Sequence, residues 1–572
     1  MTAETFFANF GHLADAPNGV QKLREFILQL AVQGKLVAQD PSDEPASFLF
    51  ERIAVEKKRL VNEGQIKKWK SLPLIMDEEI PFSLPESWSW HRLGELGITQ
   101  TGTTPKKGDY ASLGRDYPFI KPANIYPTHV AYPEEGLSEQ GAATYGRVAP
   151  PGSILMVCIG TIGKSNIIER YCSFNQQINS ISPYNPIDSY YLKYSLRSSY
   201  FQDEAWERSN STTIAILNKG NWESIPVPLP PFEEQKRIVA KVDQLMTLCD
   251  ELEARQKKQQ QGRVRLNNAA LDALLTAREP NEFADHWQRI STNFDLLYDH
   301  PETIAKLRAA ILQLAVQGKL VPQDPNDEPA SVLLERIKAE KERLVKEKII
   351  QKSKLMPPIN PDEIPFSAPV KWGWEKIERL SFVTKLAGFE YTKHIQLKER
   401  GDIPVVRAQN VRMARLEKNN LLYIDRKTSE ILQRSALTKP CLLMTFIGAG
   451  IGDVAIFEES ERWHLAPNVA KLEPYNGTNE SLDVKYLFVF LMSETGRKEI
   501  FKHKKATAQP SLSMGTIRDA NVAVPPIEEQ KRIVAKVDQL MALCDELETK
   551  LNQAQQQCGK LIEATVQQLL VA

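Results

Sequence analysis

Leu23, Ile27 and Leu30 recur about one helical turn apart in the segment Lys22–Ile53, KLREFILQLAVQGKLVAQDPSDEPASFLFERI. An apolar face at that spacing predicts an amphipathic helix, and Gly34 stands where a left-handed glycine closes one. An Asp-Pro loop follows, and Pro45 suits the first position of a second helix running through Ile53 and Leu60. The charged Glu51, Glu56, Lys57 and Lys58 read as the solvated face of that second helix. A different pattern starts after Pro230–Pro231. Glu233 and Glu234 fall in a first helical turn, where carboxylates favour the macrodipole. Ile238, Val242, Leu245, Cys249 and Leu252 then alternate at spacings of four and three, the signature of a coiled-coil seam. Gln256–Gln261 continue it with weaker core positions.

Both patterns occur twice. Lys306–Ile337 reads KLRAAILQLAVQGKLVPQDPNDEPASVLLERI, and Glu528–Glu548 repeats Glu233–Glu253 except for Ala542 in place of Thr247. The second seam is Ile533, Val537, Leu540, Cys544, Leu547 and Leu551, with Gln553–Gln557 beyond it. Such a seam also suits a helix in an ordinary bundle, and two of them in one chain favour pairing of the two helices with each other. Between the repeated frames lie two inserts, from about His91 to Ser224 and from Glu375 to Ala520, that share only a skeleton. Pro85, Trp88 and Trp90 match Pro369, Trp372 and Trp374; Lys121 and Asn124 match Arg407 and Asn410; Gly160 and Gly163 match Gly448 and Gly452; Pro230–Pro231 match Pro525–Pro526. The inserts read as strand and turn, with strands at Gly152–Ile159 and Leu442–Ile447 and short helices near Tyr190–Ser198 and Val484–Met492. Uniform drift after duplication would not leave frames nearly identical and inserts so different. A frame that fits one partner twice, with inserts doing different jobs, accounts for both.

The chain's 572 residues suggest three to five domains. The pattern divides it into a helical extension (1–80), a first mixed domain (81–230), a central coiled-coil and repeated helical region (231–360), a second mixed domain (361–525) and a terminal coiled-coil helix (526–572). The fold class is α+β with an internal repeat. Lys+Arg and Asp+Glu are both 72, so any DNA-binding surface must come from local segregation of charge. The six cysteines lack metal-finger spacing and fit reduced thiols in a cytoplasmic protein. Residues 1–10 carry an acidic residue and no basic stretch, unlike a secretory signal. No apolar run reaches the roughly 18–20 residues of a membrane span.

Local charge and amide clusters in the inserts are candidates for gripping phosphate or reading base edges. In the first insert these are Thr103, Thr104, Lys106, Lys107, Arg115, Lys121, Asn124, Lys164, Gln176 and Gln177, with Tyr110 and Tyr117 nearby. In the second, Arg407, Gln409, Asn410, Arg412 and Arg415 cluster tightly, and Arg497–Lys505 includes Lys502, Lys504 and Lys505. Catalytic motifs fail on inspection. Leu229-Pro-Pro-Phe232 lacks the Asn that an adenine methyltransferase uses to accept a hydrogen bond from its target amino group, and the second copy reads Val524-Pro-Pro-Ile527. Gly163-Lys164-Ser165 lacks the upstream glycine of a phosphate loop, since position 158 is Cys. The eight histidines show no metal-site spacing, so no metal is assigned. A methyltransferase or nuclease with fused recognition domains is the alternative reading, and it lacks a cofactor loop. A coiled-coil interaction protein without a DNA role would leave the divergence of the inserts unexplained.

The blocks PPxEEQKRIVAKVDQL from Pro230 and Pro525, the Pro-x-x-Trp-x-Trp segments, the Thr101–Pro105 loop (TGTTP) and the Gly160–Lys164 turn followed by Asn175-Gln176 together resemble the specificity subunit of Type I restriction–modification enzymes. The doubled LQLAVQGKLV-x-QDP-x-DEPAS segment resembles the subgroup whose N-terminal extension recurs mid-chain. The second insert departs from the pattern, with no TGTTP loop and with Ala449–Asp453 in place of the Thr-Ile-Gly-Lys turn. The resemblance implies two target recognition domains joined by long antiparallel coiled-coil helices, with pseudo-two-fold symmetry. It also implies a bipartite target on double-stranded DNA, one half read by each domain, with the helices fixing the gap. The implied partners are two methyltransferase subunits, which modify adenine with S-adenosylmethionine, and restriction/translocase subunits that use ATP and Mg. The chain itself would hold no cofactor and no catalytic site.

Overall fold

The computed structural model describes residues 14, 18–64, 66, 71–106, 108–145, 147–210, 214–352, 356–448, 450–475, 482–502 and 512–571. Lys107, Ala449, Lys504 and Lys505 lie outside these, as do residues 1–10. The chain forms two compact units: residues 1–259 with 554–572, and residues 260–553.

In the first unit, the helices Gly19–Val32 and Ala46–Asn62 form the expected hairpin. Gln33 caps the first, and Gly34 follows at φ +69°. A side chain there would need a left-handed backbone and would also strike the Pro85 ring, 2.4 Å from an added Cβ. The solvated face assigned to the second helix includes an error. Lys57 is buried, with its ammonium 5.2 Å from the centre of the Tyr184 ring. It lies one turn after the buried Ile53, so its stem continues the apolar stripe. Burial pushes its pKa down to about 8.

The mixed domain that follows contains two main sheets. Strands β2 (Gly97–Thr101), β10 (Ile178–Pro183), β7 (Ile154–Val157) and β8 (Ser165–Ile167) form one, in the order β2-β10-β7-β8. The other joins β3 (Leu113–Gly114), β5 (Gly136–Leu137), β4 (Tyr117–Ile120), β9 (Cys172–Phe174) and β6 (Val148–Ala149) in that order, with β4 parallel to β9. A separate pair, β1 (Ser89–Arg92) with β11 (Pro226–Leu229), brings the start and end of the domain together. The helix expected near Tyr190–Ser198 spans Ser189–Arg197, with Asp188 accepting from the Tyr190 and Tyr191 amides at its N-terminus.

The second unit repeats this plan on a divergent sequence. Strands β13 (Ser381–Lys385), β22 (Val469–Pro474), β19 (Cys441–Thr445) and β20 (Val454–Phe457) keep the order of the first sheet. Strand β14 (Ile403–Val406) is parallel to β21 (Trp463–Leu465), and β12 (Gly373–Lys376) pairs with β23 (Asn521–Val524). The helix Val484–Met492 stands where expected, behind the Asp483 cap.

The long helices are Phe232–Thr276 and Ile527–Val571. Their apolar seams are buried, and in each unit the hairpin helix shares the burial. Ile238, Val242, Leu245 and Cys249 share one core cluster with Leu23, Ile27 and Leu30 of the hairpin helix and with Tyr191 and Tyr194. Ile533, Val537 and Cys544 share another with Leu307, Ile311 and Leu314 of the equivalent helix Pro301–Val316. The end of the first long helix, through Leu271 and Leu274, joins that second cluster. Packing between long helices is thus present, with a third helix filling the seam. Heptad periodicity sets which face is buried, not the number of helices that bury it.

Polar locks repeat along with the cores. The Trp88 indole donates to Glu234 Oε2 at 2.9 Å while Gln39 donates to Oε1 at 2.6 Å; Trp372 and Gln323 hold Glu529 at the same distances. The Asp188 amide donates to Gln235 at 2.9 Å, and the Asp483 amide to Gln530 at 2.9 Å. Arg237 pairs with Asp43 and Arg532 with Asp327, each at 2.6 Å. The Glu-Glu-Gln-Lys-Arg block thus fastens each mixed domain and its hairpin to its long helix.

Candidate nucleic-acid interface

At the carboxyl ends of the parallel pair β4/β9, the chain turns at Lys121. The Lys121 amide donates to Asn124 Oδ1 at 2.9 Å. Asn124 O accepts from the Ala131 amide at 2.8 Å, Ile125 bridges Val130, and the Tyr126 amide donates to His129 O at 2.8 Å. The result is a short hairpin tipped by Tyr126, Pro127, Thr128 and His129. The rings of Tyr126 and His129 stack with centres 4.8 Å apart and planes 9° apart. Three side chains grip its backbone. Asn166 Nδ2 donates to Tyr126 O at 2.9 Å, Arg197 to Pro127 O at 3.1 Å, and Lys164 Nζ to Pro122 O at 2.8 Å. Burial lowers the pKa of Arg197.

Beside this turn, the Thr101–Pro105 loop lies directly on β9. The Gly102 amide donates to Ile178 O at 2.9 Å, and the Thr103 amide to Phe174 O at 3.0 Å. An added Cβ at Gly102 would lie 2.1 Å from Asn175 O, so the approach requires glycine. Thr104 Oγ1 hydrogen-bonds Gln176 Oε1, which brings two candidates together at the exposed rim. The Lys106 amide donates to the Tyr145 hydroxyl at 2.9 Å. Lys121, Arg115 and Gln176 are exposed, whereas Gln177 is half-buried and tied to Asn175.

The second domain builds the same turn. The Arg407 amide donates to Asn410 Oδ1 at 3.1 Å, and Asn410 O accepts from the Glu417 amide at 2.7 Å. Strands β15 (Val411–Arg412) and β16 (Arg415–Leu416) form the hairpin, with Arg412 directly opposite Arg415. The Ala414 amide donates to Val454 O at 2.9 Å, anchoring the tip to β20 as Asn166 anchors the first tip to β8. Asn410 is 1% exposed, and its Nδ2 donates to Glu417 O at 3.1 Å and Asn419 O at 3.3 Å. It braces the turn and presents nothing to a base. Arg407 spends one nitrogen on Asn420 O at 2.6 Å. Gln409, Arg412 and Arg415 are exposed, and Arg415 pairs with Glu417. Lys502 is met by Glu499 at 3.4 Å and Glu363 at 3.9 Å. In place of the TGTTP loop stands a helix, Gly388–His394, with Phe389 75% exposed.

Sequence reasoning missed Tyr126, His129, Arg197, Phe389 and Met413. The available signal was the matched Asn124 and Asn410, each followed by an apolar residue, four variable ones and another apolar residue. The turn glycines do correspond. Gly163 (φ +94°) and Gly452 (φ +80°) each offer a carbonyl to a side chain of the following helix pair, Gln202 and Arg497 respectively. Leu229 of the methyltransferase-like tetrapeptide is buried in β11, paired with Ser89, which is a structural role. Among the described residues, no cluster of His, Cys, Asp or Glu could hold a metal ion, and no helix is long and apolar enough to cross a membrane.

Two copies of one mixed domain, each on its own helical frame and each presenting a different set of side chains from the same turn, define a tandem recognition protein. The family model for the Type I restriction modification DNA specificity domain matches residues 85–260 and 372–556. The chain is 31% identical to the EcoEI specificity subunit of Escherichia coli over 565 residues, covering 94% of this chain and 92% of that one. Identity to the EcoAI specificity subunit of Escherichia coli is also 31%, over 552 residues, with 94% and 92% covered. A chain from the solved structure titled as the basis of complex assembly and conformational transition of the type I R-M system has 16% identity and a TM-score of 0.47, covering 86% of this chain and 99% of that one. The chain belongs to the Type I restriction enzyme specificity subunits, the non-catalytic subunits that confer DNA specificity.

Proposed function

We propose that each mixed domain reads one half of a bipartite site on double-stranded DNA, while the helical frames dock two methyltransferase subunits. Those subunits modify adenine with S-adenosylmethionine, and restriction subunits using ATP and Mg join the same assembly. The observation that carries this reading is the contrast between frame and turn. The Trp–Glu–Gln locks recur at equal distances in both frames, whereas the side chains at the equivalent exposed turns differ completely. A duplicated frame suits a partner bound twice. Divergent tips on one backbone suit two different sequences, since phosphates are alike everywhere and only base edges differ.

The test is methylation sequencing of a random-sequence DNA library exposed to the chain together with its methyltransferase partner. Adenine methylation within a two-part motif separated by unspecified bases is expected, and none from the chain alone. Methyl transfer by the chain alone, or a single undivided motif, would overturn the reading.

A further inference from the structure

The hairpin that follows Asn124 and Asn410 has one geometry and two chemistries. In both domains the turn's asparagine accepts the same amide, the hairpin closes over the same interval, and strand β8 or β20 holds the tip. The tip residues then diverge. Tyr126 and His129 occupy the facing positions in the first domain, Arg412 and Arg415 in the second. A structural role would keep the residue types, because the surrounding backbone is the same. A phosphate clamp would keep the charge, because the phosphate is the same whatever the sequence.

The second tip is also unfavourable by itself. Arg412 and Arg415 are directly opposite across the hairpin, an arrangement of like charges that destabilises a strand pair. Glu417 neutralises Arg415, and Arg412 has no ion pair among the described residues. Arg415 is 73% exposed in its side chain, and Met413 between them is 43% exposed. Such a pair is explained by an acceptor-rich ligand. A two-stranded ribbon is narrow enough for the DNA major groove, and a guanidinium fork matches the O6 and N7 acceptors of guanine.

We propose that this hairpin tip is the base-reading element of each domain, with Arg412 and Arg415 reading guanine in the half-site of the second domain and Tyr126 with His129 reading the other half-site. This rests on the bipartite reading above. The assembled methyltransferase complex carrying R412A, R415A, R412K or R415K is assayed by methylation sequencing, alongside Y126A/H129A. Each arginine-to-alanine variant is expected to relax a guanine preference at one position by about tenfold or more, in one half-site only. The lysine variants keep the charge and a donor able to reach O6 and N7 but lose the planar fork, so they should weaken the guanine preference less than the alanine variants while retaining affinity for random DNA. Y126A/H129A should alter the other half-site alone. Unchanged base preferences would overturn the proposal, as would an equal loss of binding on all sequences, which marks phosphate contacts. In either case the wild-type complex would still report a two-part motif, so the bipartite reading would stand. Its failure would instead show in the wild type. Thermal melting of each variant separates misfolding from lost recognition, and the lysine variants decide the matter if an alanine variant unfolds.

Discussion

Replacing Trp372 with Phe removes one hydrogen bond from a carboxylate that has almost no access to water. Glu529 is 1% exposed and Trp372 8% exposed, and the indole donates at 2.9 Å. Losing a hydrogen bond to a charged group costs about 1.5–3 kcal/mol. The smaller ring gives up roughly 40 Å² of buried apolar area, or about 1 kcal/mol at about 25 cal/mol per Å². The expected loss is therefore about 2.5–4 kcal/mol, in the second unit. Trp88→Phe should cost the first unit the same, because Glu234 is held at the same distances. The pH dependence has a definite sign. Burial raises the pKa of Glu529 above its ordinary 4.5, and the donors Trp372 and Gln323 partly offset this. A raised folded pKa gives stability that is present below 4.5 and lost as pH rises through the folded value. Removing a donor raises that value further, so the Trp372→Phe penalty should be larger at pH 7 than at pH 5. Urea unfolding followed by circular dichroism gives the total. Hydrogen exchange in the first turns of each long helix assigns it to a unit. A penalty under about 0.5 kcal/mol, below that of an ordinary hydrogen bond, would refute the lock as described. So would a penalty indifferent to pH.

Gly102→Ala places a methyl 2.1 Å from Asn175 O and must displace the Thr101–Pro105 loop; half-site sequencing should show loss at one half-site and retention of the other. Glu79 is held down to about 2, chiefly by its hydrogen bonds from Arg92. Its stabilising contribution is present above the ordinary 4.5 and lost as pH falls toward 2. Glu79→Gln should therefore destabilise the first unit at pH 7 by about 1–3 kcal/mol, and the difference from wild type should shrink in acid melts.

The frames were legible because their residues repeat almost letter for letter, and helical spacing with a closing glycine places Gly19–Val32 well. The seam partner was not legible. Spacings of four and three identify the buried face of Phe232–Thr276 but cannot tell a second long helix from Leu23, Ile27 and Leu30. Lys57 was misplaced for a related reason, since its charge suggested water while its four-carbon stem fits the stripe started by Ile53. In the site, Lys121 with Asn124 and Arg407 with Asn410 stood out as matches, but spacing does not reveal which side chain points inward. The asparagines turned out to brace the turns. The first tip escaped because Tyr126 and His129 have no chemistry in common with Arg412 and Arg415, which their charge had already marked. The equal spacing after Asn124 and Asn410 and the paired hairpin register align the two.

Asn410 secures its turn entirely through main-chain amides and carbonyls. Those groups are common to nearly every amino acid, so the brace does not depend on what the neighbouring side chains are. Codons at the hairpin tip can then change without disturbing the support beneath them. With the tips reading bases as proposed, a lineage carrying such a scaffold would acquire a new DNA target through a few nucleotide changes while its folded architecture stays the same.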